Sequence, residues 1–241
     1  MEIMGGDRRD VVAVIPARAG SDRVKGKNTR PISGVPLVGR KIAQLKQSRL
    51  VTRIVVATNC EDCMTVARAE GVEVLPREDY FCDERVCSAN EMILDVAQRI
   101  GGEHLVWAHC TNPFLYGRHY DAALEAFFAA ERAGTADSLA SVYKVQSHMW
   151  NADQRPANFN PKAPRHPLAA TLDPVFFQDG GIFIQRRERF VETRYFYGDT
   201  PLLFDVAFPY CHDINTEEEF NMANVLAPWL DELELAKAAA E

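Results

Sequence analysis

Residues 11–28 read VVAVIPARAGSDRVKGKN, and the parsing of this stretch decides the fold. Val11 to Ile15 form an unbroken apolar run rich in β-branched side chains, the pattern of a strand covered on both faces. Residues 18–27 then carry Arg18, Arg23, Lys25 and Lys27, spaced by Gly20 and Gly26. Residues 36–49, PLVGRKIAQLKQSR, open with a proline suited to a first helical turn and place Val38, Ile42 and Leu45 on one helical face. A strand, a glycine-spaced cationic loop and a helix, in that order, predict a phosphate site. Backbone N–H groups and cationic side chains meet there at the strand's C-terminal edge. The spacing matches neither G-x-x-x-x-G-K-[ST] nor G-x-G-x-x-G, which excludes the ATPase loop and the dinucleotide fingerprint.

Outward from this stretch the same alternation continues. Strands are predicted at 52–58 (TRIVVAT), 72–75 (VEVL) and 104–109 (HLVWAH). Helices are predicted at 61–71, stopped by Gly71, at 88–101 with Ser88 as N-cap, and at 117–133. In the last of these Tyr120, Leu124, Phe127 and Phe128 recur at helical spacing and read as core. The character changes beyond 139: SVYKVQSHMW (141–150) is strand-like, whereas 151–174 is rich in Pro, Asn and Ala with little periodicity. A loop that long predicts a functional or interaction arm, assigned to 145–176. GGIFIQ (180–185) resumes the sheet, LLFDVAF (202–208) extends it, and Thr216 caps a terminal helix with acidic residues in its first turn. The expected architecture is α/β and Rossmann-like: one domain spanning 1–241, with a mostly parallel central sheet, flanking helices and a small arm.

A chain of 241 residues with 47% hydrophobic content fills one large core. Its formal charge of −7 argues against general affinity for nucleic acid or anionic membranes, so the basic loop is a local device. No apolar run approaches the ~18 residues of a membrane span, and MEIMGGDRRD lacks the apolar core of a secretion signal, which leads to an expected cytoplasmic location. Six cysteines are too sparse for a disulfide scaffold, and most are expected to be reduced. Cys60 and Cys63 form a C-x-x-C without a second such pair or a His pair, and read as the start of a helix.

IPARAGSDRVKGKN closely resembles the N-terminal signature of the CTP-dependent sugar-acid cytidylyltransferases, which make CMP-sialic acid and related CMP-activated acids. Asn28 after Lys27 resembles the acylneuraminate branch, whereas Ser21, Arg23, Gly26 and Lys27 also fit the 3-deoxy-octulosonate branch. Weaker resemblance runs from about residue 11 to 230. CTNPF (110–114) stands at the family's Thr-Ser-Pro turn and DSLASV (137–142) at an Asp-Ser-Val-Val-Ser-Val strand. DGGIFI (179–184) stands at Asn-Gly-Ala-Ile-Tyr-Ile, and HDINTEEEF (212–220) at the Asp-Ile-Asp-Thr stretch before the last helix.

The resemblance implies attack of an acceptor oxygen on the α-phosphorus of CTP with release of pyrophosphate. Alignment and charge neutralisation are then the protein's task. It assigns Arg18 and Lys27 to the triphosphate, Ser21 to a phosphate hydrogen bond, and Asn28, Arg77 and Ser88 to seating the nucleotide, with Arg23 among the same binding residues. It implies Mg²⁺ with Asp213 as ligand, although Asn215 stands where the family has its second aspartate. Arg165 matches an acceptor-side arginine. Gln178 and Asp179 replace a cation, which suits a different nonulosonic acid or another acid such as a phosphonate. A nucleotide-binding homologue impaired in turnover is the other reading that Asn215 suggests. His109 reads as substrate lining and Cys110 as buried, since neighbours on a strand point to opposite faces. His148 reads as structural or interfacial. The expected partners are CTP, a small acidic acceptor and, through the arm, a second copy in a homodimer.

Overall fold

The chain runs through β1 (Val11–Ala17), a short hairpin of β2 (Pro31–Ile32) and β3 (Val35–Pro36), α1 (Leu37–Lys46), β4 (Arg53–Thr58), α2 (Glu61–Ala69) and β5 (Glu73–Pro76). It continues with α3 (Ala89–Arg99), β6 (His104–Ala108), α4 (Gly117–Ala133), β7 (Ser138–Val145), β8 (Val175–Arg186), α5 (Arg187–Thr193), β9 (Pro201–Asp205) and α6 (Glu217–Ala238). This computed structural model describes residues 9–21 and 23–239. Residues 1–8, which include most of the stretch searched for a secretion signal, lie outside the described residues. No described helix is long and apolar enough to cross a membrane.

Seven strands form one sheet in the order β5-β4-β1-β6-β8-β7-β9. β1 pairs in parallel with β4 and β6, β4 with β5, and β7 with β9; β8 alone among the sheet's strands runs against its neighbours. The apolar run of β1 explains its central place. Val11, Ala13 and Ile15 pack into a cluster with Leu37, Val38 and Ile42 of α1, Tyr120, Leu124 and Phe127 of α4, and Phe220 and Ala223 of α6. Val12 and Val14 face the other way, toward Ile93 and Val96 of α3 and Phe190 of α5. A strand with helices on both faces must be apolar at both parities, as this one is.

From β1 the chain steps to β4 and β5 on one side and then returns to place β6 on the other. The loops leaving the C-terminal ends of β1 and β6 therefore diverge and leave a crevice, the switch point at which open α/β sheets bind ligands.

Three regions depart from the sequence reading. The β2–β3 hairpin and α5 were not expected. β8 begins at Val175, ahead of the predicted Gly180, because VFFQ pairs with Val142–Val145 of β7 across an irregularity between Ala140 and Val142. The arm, residues 146–174, is held by side-chain bonds to its own backbone: Gln146 Nε2 donates to Leu172 O at 2.9 Å and Asn158 Nδ2 to Ser147 O at 2.8 Å. His148 belongs to this scaffold, with Nε2 bonded to Pro167 O at 2.9 Å and its ring stacked on His166.

Candidate active site

A cavity of about 420 Å³ opens at the C-terminal ends of β1 and β6, with three walls. The loop after β1 forms the first, contributing Arg18, Ser21, Arg23, Lys27 and Asn28. Gly26 adopts φ +60, a left-handed conformation that favours glycine, and leads into a 3₁₀ turn at Lys27–Thr29. Lys27 is turned inward, 9% exposed, with Nζ donating to Ile214 O at 2.8 Å. Burial draws its pKa down, Asp213 opposes this, and Arg23 and Arg18 add to the lowering. Asn28 Nδ2 closes the loop onto Arg18 O at 3.1 Å, and Asn59 Oδ1 accepts from Ala19 N at 2.8 Å. Arg18 pairs with Glu84 of the opposite wall at 3.0 Å. Lys25 is exposed and outside the cavity lining.

The second wall holds Arg77 and the start of α3. Arg77 is buried, donates through Nη2 to Phe81 O, and has a buried Nε without a partner among the described residues. Ser88 is the N-cap of α3: its Oγ accepts from Glu91 N, and Glu91 Oε2 accepts in return from Ser88 N at 2.9 Å. Cys82 and Cys87 line this wall, their thiol pKa values raised by burial.

The third wall joins the end of β6 to Gly180 and the turn before α6. His109 Nδ1 lies 2.7 Å from Gly180 O, and burial draws its pKa below the usual imidazole value. Ile214 N donates to Thr111 O at 2.9 Å, which ties Asp213 and Asn215 to the β6 end. Asn215 Nδ2 donates to Asp213 Oδ2 at 2.6 Å, while Asp213 Oδ1 is buried with no partner among the described residues. That orphaned oxygen is a hard donor facing a cationic loop. Among the described residues no three or more His, Cys, Asp or Glu side chains form a metal-holding group. A Mg²⁺ ion at Asp213 would thus take one carboxylate oxygen from the protein, with phosphate and water completing its shell, an arrangement this ion accepts.

Nine of the eleven residues singled out therefore converge on one cavity. Arg165 and Gln178 do not: both are exposed and neither lines it. Arg165 sits on the arm, and Gln178 lies on the β8 segment that pairs beyond the β7 irregularity, carried away from the site. Cys110 is buried in the core, its pKa pushed up to about 12 by burial, and does not pair with His109. Cys60 is the N-cap of α2 and Cys63 is buried within that helix, as the helix-start reading expected.

Sequence reasoning missed the support behind the third wall. Lys41 of α1 is 1% exposed, and its Nζ donates to Asn112 O and Tyr120 Oη, each at 2.8 Å. Asn112 Nδ2 in turn donates to Asp179 O at 2.9 Å. Asp179, 4% exposed, accepts from Ser141 Oγ and Gly181 N, and burial raises its pKa. The available signal was a cation inside the apolar stripe of Val38, Ile42 and Leu45.

Comparisons with known proteins identify the family. A family model described as Cytidylyltransferase matches residues 12–208. The 3-deoxy-manno-octulosonate cytidylyltransferase of Chlorobaculum parvum is 31% identical over 188 residues, covering 78% of this chain and 70% of that protein. The N-acylneuraminate cytidylyltransferase of Escherichia coli O18:K1:H7 is 22% identical over 227 residues, covering 90% of this chain and 52% of that protein, so the chain spans about half that relative's length. Among solved structures, CMP:2-keto-3-deoxy-manno-octonic acid synthetase complexed with CTP superposes with a TM-score of 0.65 at 16% identity, over 91% of this chain and 99% of that one. With the crevice at the β1–β6 switch point and a match over most of its length, the chain belongs to the cytidylyltransferase family and is a nucleotidyltransferase.

Proposed function

We propose that the chain transfers CMP from CTP to a sugar acid of the octulosonate or nonulosonate type, releasing pyrophosphate. One observation carries the reading: the inward-turned Lys27 shares a single cavity with Arg18, Arg23 and Asp213, whose Oδ1 is left without a partner among the described residues. Nζ of Lys27 gives one N–H to Ile214 O and keeps two for phosphate oxygens. Its fixed charge, with that of Arg18, stabilises the negative charge that grows on the departing pyrophosphate. Ser21 and Asn28 orient the phosphates, and Arg77 with the α3 N-terminus at Ser88 forms the nucleoside end. Mg²⁺ bound at Asp213 supplies charge neutralisation at the phosphates.

The arm completes the proposal as a homodimer contact. It and the adjoining strand expose Trp150, Leu168, Phe176 and Phe177, apolar side chains suited to an interface, and Arg165 on this arm would reach the acceptor site of a second copy. Size-exclusion chromatography with light scattering is expected to give a dimer; a monomer at micromolar concentration removes this part.

The test of activity is pyrophosphate release from each nucleoside triphosphate with Mg²⁺ and a panel of α-keto sugar acids and phosphonates. Release is expected with CTP alone and a sugar acid. Release only with a phosphonate moves the acceptor to that class, and tight CTP binding without release by any acid favours an impaired homologue.

A further inference from the structure

The ring of His109 is pinned in one orientation. Nδ1 lies 2.7 Å from the carbonyl oxygen of Gly180, which can only accept, so Nδ1 carries the proton. Edge-on contacts with Phe183 and Phe196, at centroid distances of 6.2 and 5.9 Å, hold the ring plane. Nε2 has no hydrogen-bond partner among the described residues, and the ring lines the cavity. The neutral ring therefore presents a lone pair on the wall that also holds Thr111 and Asp213. Sequence reading gave His109 only a lining role.

We infer that His109 is the general base of the transfer, its Nε2 taking the proton from the acceptor hydroxyl as that oxygen attacks the α-phosphorus. This rests on the proposed function. The new bond joins the acceptor oxygen to the α-phosphorus, the bond from that phosphorus to the bridging oxygen breaks, and pyrophosphate leaves with the electron pair. The proton ends on Nε2 and passes to solvent when product departs. Gly180 O holds the resulting imidazolium through Nδ1–H, and the carboxylate of Asp213 favours it. Lys27 and Lys41 oppose it, as does the ring's burial. Burial, the largest of these influences, sets the net direction and holds the ring's pKa below the usual imidazole value.

His109→Asn retains an N–H for Gly180 O and removes the base. The single-turnover rate with CTP and the acid turned over by the wild type is expected to fall about 100-fold, with CTP affinity within about threefold. The fall in wild-type rate on the acid side, below the ordinary imidazole value of about 6.5, is expected to flatten in the variant. His109→Ala is expected to regain rate saturably with added imidazole. A His109→Asn rate within about threefold of wild type, or an unchanged acid limb, overturns the assignment while leaving the transferase reading intact. Absence of turnover by the wild type with every acid overturns both. If His109→Ala does not fold, His109→Asn decides alone; if neither folds, the residue is structural and the inference fails.

Discussion

Lys27 and Lys41 are both buried, and each donates to a backbone carbonyl at 2.8 Å. A hydrogen-bonded path links them, from Lys27 through Ile214 to Thr111 and its neighbour Asn112, and so to Lys41. Yet they lie on different sides of the segment after β6. Lys27 opens into the cavity among Arg18, Arg23 and Asp213, whereas Lys41 is sealed between α1 and α4 with a tyrosine hydroxyl as its other acceptor. Burial and anchoring do not separate a lysine that lines the cavity, and is proposed to meet substrate, from one that holds the floor beneath it. Access and neighbouring charge do.

The sharpest way to break this contrast is Lys27→Ala. Loss of the cavity ammonium is expected to lower the transfer rate about 10³-fold while thermal stability changes little. Steady-state pyrophosphate release and a melting curve measure the two, and full turnover would place Lys27 with Lys41 as scaffold. Asp213→Asn comes next, with an expected loss of about 10²-fold that added Mg²⁺ does not restore. Asparagine retains a polar partner for Asn215 but removes the anionic oxygen. Mg²⁺ titration of activity reads the difference, and an unchanged Mg²⁺ dependence would remove Asp213 from the metal.

Lys41 inverts the pattern. Burial lowers its pKa from 10.5 to about 7, so between those values the unfolded chain binds a proton that the folded chain lacks. Wild-type stability, measured against Lys41→Met, is therefore expected to rise with pH. The relative gain is on the order of 4 kcal/mol from pH 7 to 10 and is absent below pH 6, where both states carry the charge. Melting of both proteins across this range measures it. Lys41→Met leaves Asn112 O and Tyr120 Oη without their donor, but its transfer rate is expected to stay within about tenfold of wild type. A flat difference would mean that the folded state keeps Lys41 protonated throughout.

Much of this was legible in the sequence because it is local. A β-branched run, a glycine-spaced cationic loop and capping residues such as Ser88 and Thr216 act over a few positions, and each stands where it was expected. Lys41 was illegible because its partners, Asn112 and Tyr120, come from α4 and the segment before it, and only tertiary packing brings them to α1. The start of β8 was hidden for a related reason. VFFQ is exposed along much of its length, and only pairing with β7 makes it a strand. The same extension bears on Gln178: once β8 reaches back to Val175, that glutamine lies on the exposed part of the strand, outside the cavity lining. Arg165 lies on an arm without periodicity, where sequence spacing does not fix position.

The smallest effect sharpens the comparison most finely. Thr216 caps α6, its Oγ1 accepting from Glu219 N at 3.3 Å, while Glu219 Oε2 accepts from Thr216 N at 2.9 Å and Asn215 N at 2.6 Å. The cap thereby stiffens the turn whose Ile214 carbonyl holds Lys27. Thr216→Ala is expected to cost about 1 kcal/mol, a fall in melting temperature of about 2–4 °C. If the cap serves only the helix, transfer rate stays unchanged below the melting range. If it also sets Lys27, the rate falls several-fold with CTP affinity preserved, because a displaced ammonium loses more against the growing charge on pyrophosphate than against bound substrate. The Lys41 side gives no such split, since its carbonyl partner lies in a different turn. Measuring rate and melting temperature together in Thr216→Ala therefore tests whether the path between the two lysines transmits position or merely connects them.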